Sequence, residues 1–147
     1  MAKAKHAVPE GHYTVTPQLT LGNASEAIEW YKKALGAEEL GRAVGPDGKI
    51  MHAEIRIGDS RIMLNDEMGG GRSPRTIGGS PASLWIYVED CDALFNRAVA
   101  AGAGDVVGVE RIASVDIAAN VARAAVVTSA LFDAVFIRGK CSPSGRH

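Results

Sequence analysis

The stretch that most constrains this chain runs from Gly45 to Asp66 and reads GPDGKIMHAEIRIGDSRIMLND. It contains two apolar-alternating runs, each entered through a turn. Pro46-Asp47-Gly48 supplies the first turn, with proline presetting φ and glycine taking the positive-φ position without steric cost. Gly58-Asp59-Ser60 supplies the second, at hairpin spacing. Between the turns Met51, Ala53, Ile55 and Ile57 alternate with His52, Glu54 and Arg56. A period of two lays an apolar row on one face of a sheet and a titratable row on the other. Arg61, Met63 and Asn65 alternate with Ile62 and Leu64 in the same way. A chemically active surface, if the chain has one, begins on the polar row.

The flanking sequence makes this hairpin part of a larger unit. Tyr13 to Leu21 reads as a strand, with Val15, Leu19 and Leu21 on one side and Thr16, Gln18 and Thr20 on the other. Pro17 has no ladder donor, which places that strand at an edge or at a bulge. Asn23 or Ser25 is the cap of a helix running to about Leu35, with Ala27, Ile28, Tyr31, Ala34 and Leu35 as its buried stripe and Gly36 as its stop. Glu38 to Val44 is the next strand, giving the order β-α-β-β-β. Met68 to Ser80 is rich in glycine, serine and proline and carries Arg72 and Arg75; it is either a linker or a loop over a site. A further strand spans Ser83 to Val88, with Leu84, Ile86 and Val88 facing one way and Ser83, Trp85 and Tyr87 the other. A helix then starts at Asp90 or Asp92 and runs through Ala101, burying Leu94, Phe95 and Val99, and Gly102 ends it.

The second pass repeats the first. Leu21–Asn23 and Val88–Asp90 hold equivalent places, and Gly36-Ala37 is matched by Gly102-Ala103. The fold expected is α+β, built of paired βαβββ modules within one domain, 1–147: a first module at 13–66, a connecting segment at 67–82 and a second module at 83–138. Strands at Val106–Val109, Val115–Val121, Ala125–Ser129 and Leu131–Ile137 would complete the second module, although the alanine-rich run from Ile117 to Ala130 equally suits a helix. Two such half-sheets can cover each other and enclose a cleft.

Composition narrows the function. At 147 residues the chain is one domain's worth, and its net charge of −1 lacks the basic excess of a nucleic-acid or membrane-surface binder. The longest apolar candidate, Ile117 to Ile137, is broken by Arg123 and Asp133, so no membrane span is expected. Lys3 and Lys5 precede no apolar run, so a signal peptide is not expected either and a cytoplasmic location is. Cys91 and Cys141 make no disulfide framework and have no metal-site spacing. There is no nucleophile elbow and no phosphate-binding loop; Gly69-Gly70-Gly71 lacks the required spacing. His6 and His12 lie in a loose N-terminal arm and His147 at the terminus, with no partner evident for any of them.

The runs VTPQLTLGNASEAIEWYKKALGAEEL, GPDGKIMHAEIRIGDSRIMLNDE and GGRSPRTIGGSPASLWIYVEDCDALFNRAVAAGA resemble the PhnB-like, glyoxalase/bleomycin-resistance branch of the vicinal oxygen chelate superfamily. The resemblance covers about Pro9 to Ala103. It implies paired βαβββ modules, commonly a homodimer, and in metal-dependent members a divalent ion held by four ligands, mostly His and Glu. The family's ligand positions fall at Thr16, Met63 and Ser83, where this chain has neither imidazole nor carboxylate. No metal-ligand set is therefore assigned. After Ala103 the chain carries neither the GD-R-G segment nor the DPFGH-type turn of the branch.

On this reading His52 and Glu54, about 7 Å apart on one strand face, are the candidates for acid–base work, and Gln18, Met63, Asn65, Trp85, Tyr87 and Arg72 for contact with a small molecule. A half-solvated strand with ordinary polar residues explains His52 and Glu54 equally well. Trp85 and Tyr87 suit either an aromatic wall or core packing. Three functions fit: a glyoxalase-like protein with lyase- or isomerase-type chemistry in its cleft, a non-catalytic protein that sequesters a small molecule, or an inactive product with a displaced C-terminus.

Overall fold

The computed structural model describes residues 6–79, 82–102, 124–125 and 136–138. The first half has the expected order: β1 (Gln18–Leu21), α1 (Ala24–Leu35), β2 (Glu38–Val44), β3 (Ile50–Ile57) and β4 (Ser60–Asp66). They form one sheet in the order β1-β4-β3-β2, with β1 parallel to β4 and the other pairs antiparallel. Pro17 immediately precedes β1, which is an edge strand as a missing donor requires. A single helical turn, α2 (Pro74–Ile77), follows, then β5 (Ser83–Tyr87) and α3 (Cys91–Ala100). Two short strands, β6 (Ala124–Ala125) and β7 (Phe136–Arg138), flank β5, β6 antiparallel and β7 parallel to it. The β5·β7 pairing is of the same sense as β1·β4. Apart from positions 124–125 and 136–138, the strands expected after residue 103 lie outside the described residues.

The local chemistry of α1 explains its ends. The Asn23 side chain accepts from the Glu26 amide, and Gly36 closes the helix in the left-handed region at φ 69°, donating to Lys32 and Tyr31 carbonyls. Asp90 caps α3 in the same manner by accepting from the Ala93 amide. Asp66, 7% exposed, ties sheet to helix: its carboxylate accepts from the amides of Ala24 (2.6 Å) and Ile50 (2.7 Å). It thereby satisfies one orphan donor at the start of α1 and one at the start of β3.

The core lies between the apolar face of the sheet (Leu19, Leu21, Ile50, Ala53, Ile55, Ile57, Ile62, Leu64) and the inner stripe of α1. Leu94 and Ala98 of α3 extend it, and the Arg97 Nε donates to the Ala34 carbonyl at 2.8 Å, pinning α3 to the end of α1.

Several side chains depart from the sequence expectation. Met51 is 53% exposed and Ile50 is buried in its place, because pairing slips between Ala43↔His52 and Val44↔Ile50. That bulge at Met51 moves the inward row by one residue. Tyr13 and Val15 are 60% and 79% exposed, since the strand starts only at Gln18 and the residues before Pro17 run free of the ladder. In α3 Ala98, not Val99, faces the core, the position a four-residue step from Leu94 selects. Trp30, outside the expected stripe, is buried edge-on against Tyr31 with ring centroids 5.5 Å apart.

Candidate functional site

The polar face of the sheet is organised by Glu54. Register sets Glu54 beside Met63, and Met63 beside Gln18, in one rung across β3, β4 and β1. The Arg61 Nη1 donates to Glu54 Oε2 at 3.0 Å, and the Nε2 atoms of His52 and His12 each lie 3.4 Å from Oε1. The Glu54 side chain is 19% exposed and that of His12 14%, against 47% for His52. Burial pushes the Glu54 carboxyl up, but hydrogen bonds from Arg61, His52 and His12 outweigh it and hold the group below its ordinary range. The expectation that His12 has no partner is thus corrected. The arm folds back over the sheet, close enough that a Cβ on Gly11 would fall 2.5 Å from the Arg61 guanidinium. A contact between residues so far apart in sequence leaves no local pattern to read, whereas Arg61 shares a face with Met63 and could have been paired with Glu54 from hairpin register.

Asn65 closes the neighbouring rung. Its Oδ1 accepts from Gln18 Nε2 at 2.8 Å, its Nδ2 donates to the Asp66 carbonyl at 2.7 Å, and Thr20 Oγ1 lies within hydrogen-bond reach. The carbonyl half of the Asn65 amide therefore joins β4 to β1 and holds Gln18, while its NH2 half is bonded within β4. Arg72 stands apart, exposed, its Nη2 donating to the Thr76 carbonyl at 3.3 Å. That loop is itself pinned by Glu67, whose carboxylate accepts from the Ser73 amide and the Thr76 hydroxyl; hydrogen bonding from the Ser73 side chain first, then from the Thr76 hydroxyl and the Ser73 amide, draws its pKa down to about 2.

Trp85 and Tyr87 sit elsewhere. They project from β5 at 48% and 67% exposure into the wall of a cleft of about 820 Å³. The rest of the wall comes from the arm (Tyr13, Val15, Pro17), the β3–β4 turn with the start of β4 (Ile57 to Ile62), the Leu84, Ile86 and Val88 row of β5, and helix residues Leu35, Leu94 and Arg97. Both rings are exposed rather than part of the core. Arg61 belongs both to the cleft wall and to the Glu54 cluster, so it joins the polar face to the cleft. His52, Glu54, Gln18, Met63, Asn65 and Arg72 are not part of the cleft wall.

Among the described residues, the donor set does not suit the divalent ion the sequence resemblance implies. Met63 occupies the central rung with Gln18 and Glu54, offering a thioether, a committed amide and a carboxylate already bonded to Arg61. Among the described residues no group of three or more His, Cys, Asp or Glu is arranged to hold a metal ion.

Residues 11–122 match the family model of the glyoxalase/bleomycin resistance protein/dioxygenase superfamily. The chain belongs to that superfamily. The match runs past Ala103, where the resemblance read from the sequence stops. An uncharacterised protein of Mycobacterium bovis is 46% identical over 101 residues, spanning 65% of this chain and 66% of that protein. An uncharacterised protein of Mycobacterium tuberculosis is likewise 46% identical over 101 residues, with 59% of its length covered. The chain thus spans only about three fifths to two thirds of these relatives. The fold is shared with a gene product of Arabidopsis thaliana (TM-score 0.63, 19% identity, 87% of this chain and 98% of that one). It is shared also with TioX from Micromonospora sp. ML1 (TM-score 0.58, 17% identity, 91% and 100%) and with the bleomycin resistance determinant encoded on transposon Tn5 (TM-score 0.52, 14% identity, 87% and 97%). The α+β architecture of this superfamily member is therefore established, and among its described residues no helix is long and apolar enough to cross a membrane.

Proposed function

We propose that this superfamily member takes up a small molecule with a planar, apolar body in the cleft beside β5 and holds it without turnover. The observation that carries the reading is the pair Trp85 and Tyr87, 48% and 67% exposed on the wall of an 820 Å³ cleft whose other described lining residues are largely aliphatic. Exposed aromatic rings gathered at a concavity of drug-like volume are the usual lining of a ligand site. Sequestration is favoured over proton transfer because the acid–base candidates His52 and Glu54 lie outside the cleft wall, and because of the state of Glu54. A carboxylate held below its ordinary range by three donors is a weak base, and abstraction at neutral pH calls for a raised one. The Tn5 bleomycin resistance determinant, a protein of the same fold, lends this reading an analogy. A PhnB-like affiliation, a homodimer and a cytoplasmic location belong to the proposal as expectations of the sequence resemblance.

Thermal-shift screening of planar heteroaromatic compounds, with the recovered compound checked by mass spectrometry, tests it. The expected result is a concentration-dependent rise in Tm, abolished in Trp85→Ala, with the compound recovered unchanged. A compound that stabilises the protein but returns chemically altered would overturn the non-catalytic reading.

A further inference from the structure

The cleft contains a guanidinium whose fork is unspent among the described residues. Arg97 projects from the last turn of α3 into the cleft wall. Its Nε donates to the Ala34 carbonyl at 2.8 Å, which fits a cation placed at the C-terminal end of α1. That bond uses only one of its five donors. Its two terminal nitrogens lie beside Gly36, 3.6 and 3.9 Å from where a Cβ there would stand, and among the described residues they meet neither a carboxylate nor a carbonyl. Among the described residues, the other cation in the wall, Arg61, is already paired with Glu54. The acidic one among them, Asp59, accepts a hydrogen bond from the Ser60 hydroxyl at 2.9 Å and comes from the β3–β4 turn.

We propose that the ligand of this cleft carries a carboxylate on its planar body, and that Arg97 receives it. The inference rests on the small-molecule reading above and adds the chemical class. A guanidinium fork presents two parallel N–H groups that match the two oxygens of a carboxylate, so it selects geometry as well as charge. Anchoring Nε to a helix end fixes the plane of that fork before the ligand arrives, which lowers the ordering cost of binding. The aromatic pair on β5 would then take the ring while α3 takes the anion, an orientation neither element imposes alone.

The test compares 2-naphthoate with its neutral isostere 2-naphthamide by isothermal titration calorimetry of the full chain at low salt. The naphthoate is expected to bind about ten-fold or more tightly, the gain typical of a charge-assisted bidentate pair. Arg97→Gln should bring naphthoate down to the level of the amide, and Arg97→Lys should restore part of the preference by charge without the fork. Equal affinity of the two probes for the native protein overturns the inference while leaving the cleft reading standing, and it requires no variant to fold. A preference that survives in Arg97→Gln also overturns it. Failure of both probes to bind sinks the cleft reading and this inference together.

Discussion

Replacing Asp66 by alanine should cost more than any other single polar substitution in the sheet. Its two carboxylate oxygens accept from Ala24 N–H at 2.6 Å and Ile50 N–H at 2.7 Å. Ala24 and Ile50 are 0% and 1% exposed, so water cannot replace the lost acceptor without opening the join between α1 and β3. Each buried donor left unpaired costs about 1–3 kcal/mol. The pair therefore predicts a loss of roughly 2–6 kcal/mol for Asp66→Ala, a large share of the about 5–15 kcal/mol available to a domain. Asp66→Asn keeps one carbonyl oxygen and can satisfy only one of the two amides, so about half the loss is expected. Urea unfolding followed by far-UV circular dichroism measures both. An Asp66→Ala protein within about 1 kcal/mol of the native one would refute the claim that this carboxylate holds the helix start to the sheet.

Other outcomes follow from the same structure. Gly36→Ala meets only ordinary contact with Arg97 at 3.6 Å, so its cost is that of a Cβ at φ +69°, about 1 kcal/mol in a denaturant titration. Leu64→Ala, at 0% exposure in the sheet core, should lose about 2–5 kcal/mol by the same assay. Glu54 has a folded pKa lowered from 4.5, so its contribution to stability is complete above that value and is lost as pH falls through the folded one. The stability gap between native and Glu54→Gln proteins should accordingly be present at neutral pH and shrink on acidification below about 4.5. Glu67, with its pKa drawn to about 2, should retain part of its contribution to lower pH than an ordinary carboxylate, and Glu67→Gln should remove the acid limb that extends towards pH 2.

The elements whose local chemistry is self-sufficient were legible from the residues. Asn23 and Gly36 bracket α1, Glu38 to Val44 is β2, and the two-sided alternation of β3 and β4 places Ala53, Ile55, Ile62 and Leu64 inside. The misreadings come from events that depend on a neighbour. The bulge that exposes Met51 is a slip against β2, and the exposure of Val15 follows from where β1 finds β4 to pair with. The same holds at the site. Trp85 and Tyr87 were recognisable as a pair on one strand face, but only the fold shows that the face lines a cleft. His12 reaches Glu54 by the arm folding back, and Arg97 becomes a cleft residue because α3 packs on α1; no periodicity announces either contact. His52 and Glu54 do meet, at 3.4 Å, yet their partner Arg61 changes the carboxylate from a free base into a held anion.

The central claim, that a planar molecule binds against β5, is tested most directly with 5-fluorotryptophan. The chain has two tryptophans, Trp30 buried at 7% exposure and Trp85 in the cleft at 48%, so its fluorine spectrum reports core and cleft separately. On titration with 2-naphthamide, a saturable shift of the Trp85 resonance is expected while that of Trp30 stays in place. An unmoved Trp85 resonance, or shifts of equal size at both tryptophans, would contradict it.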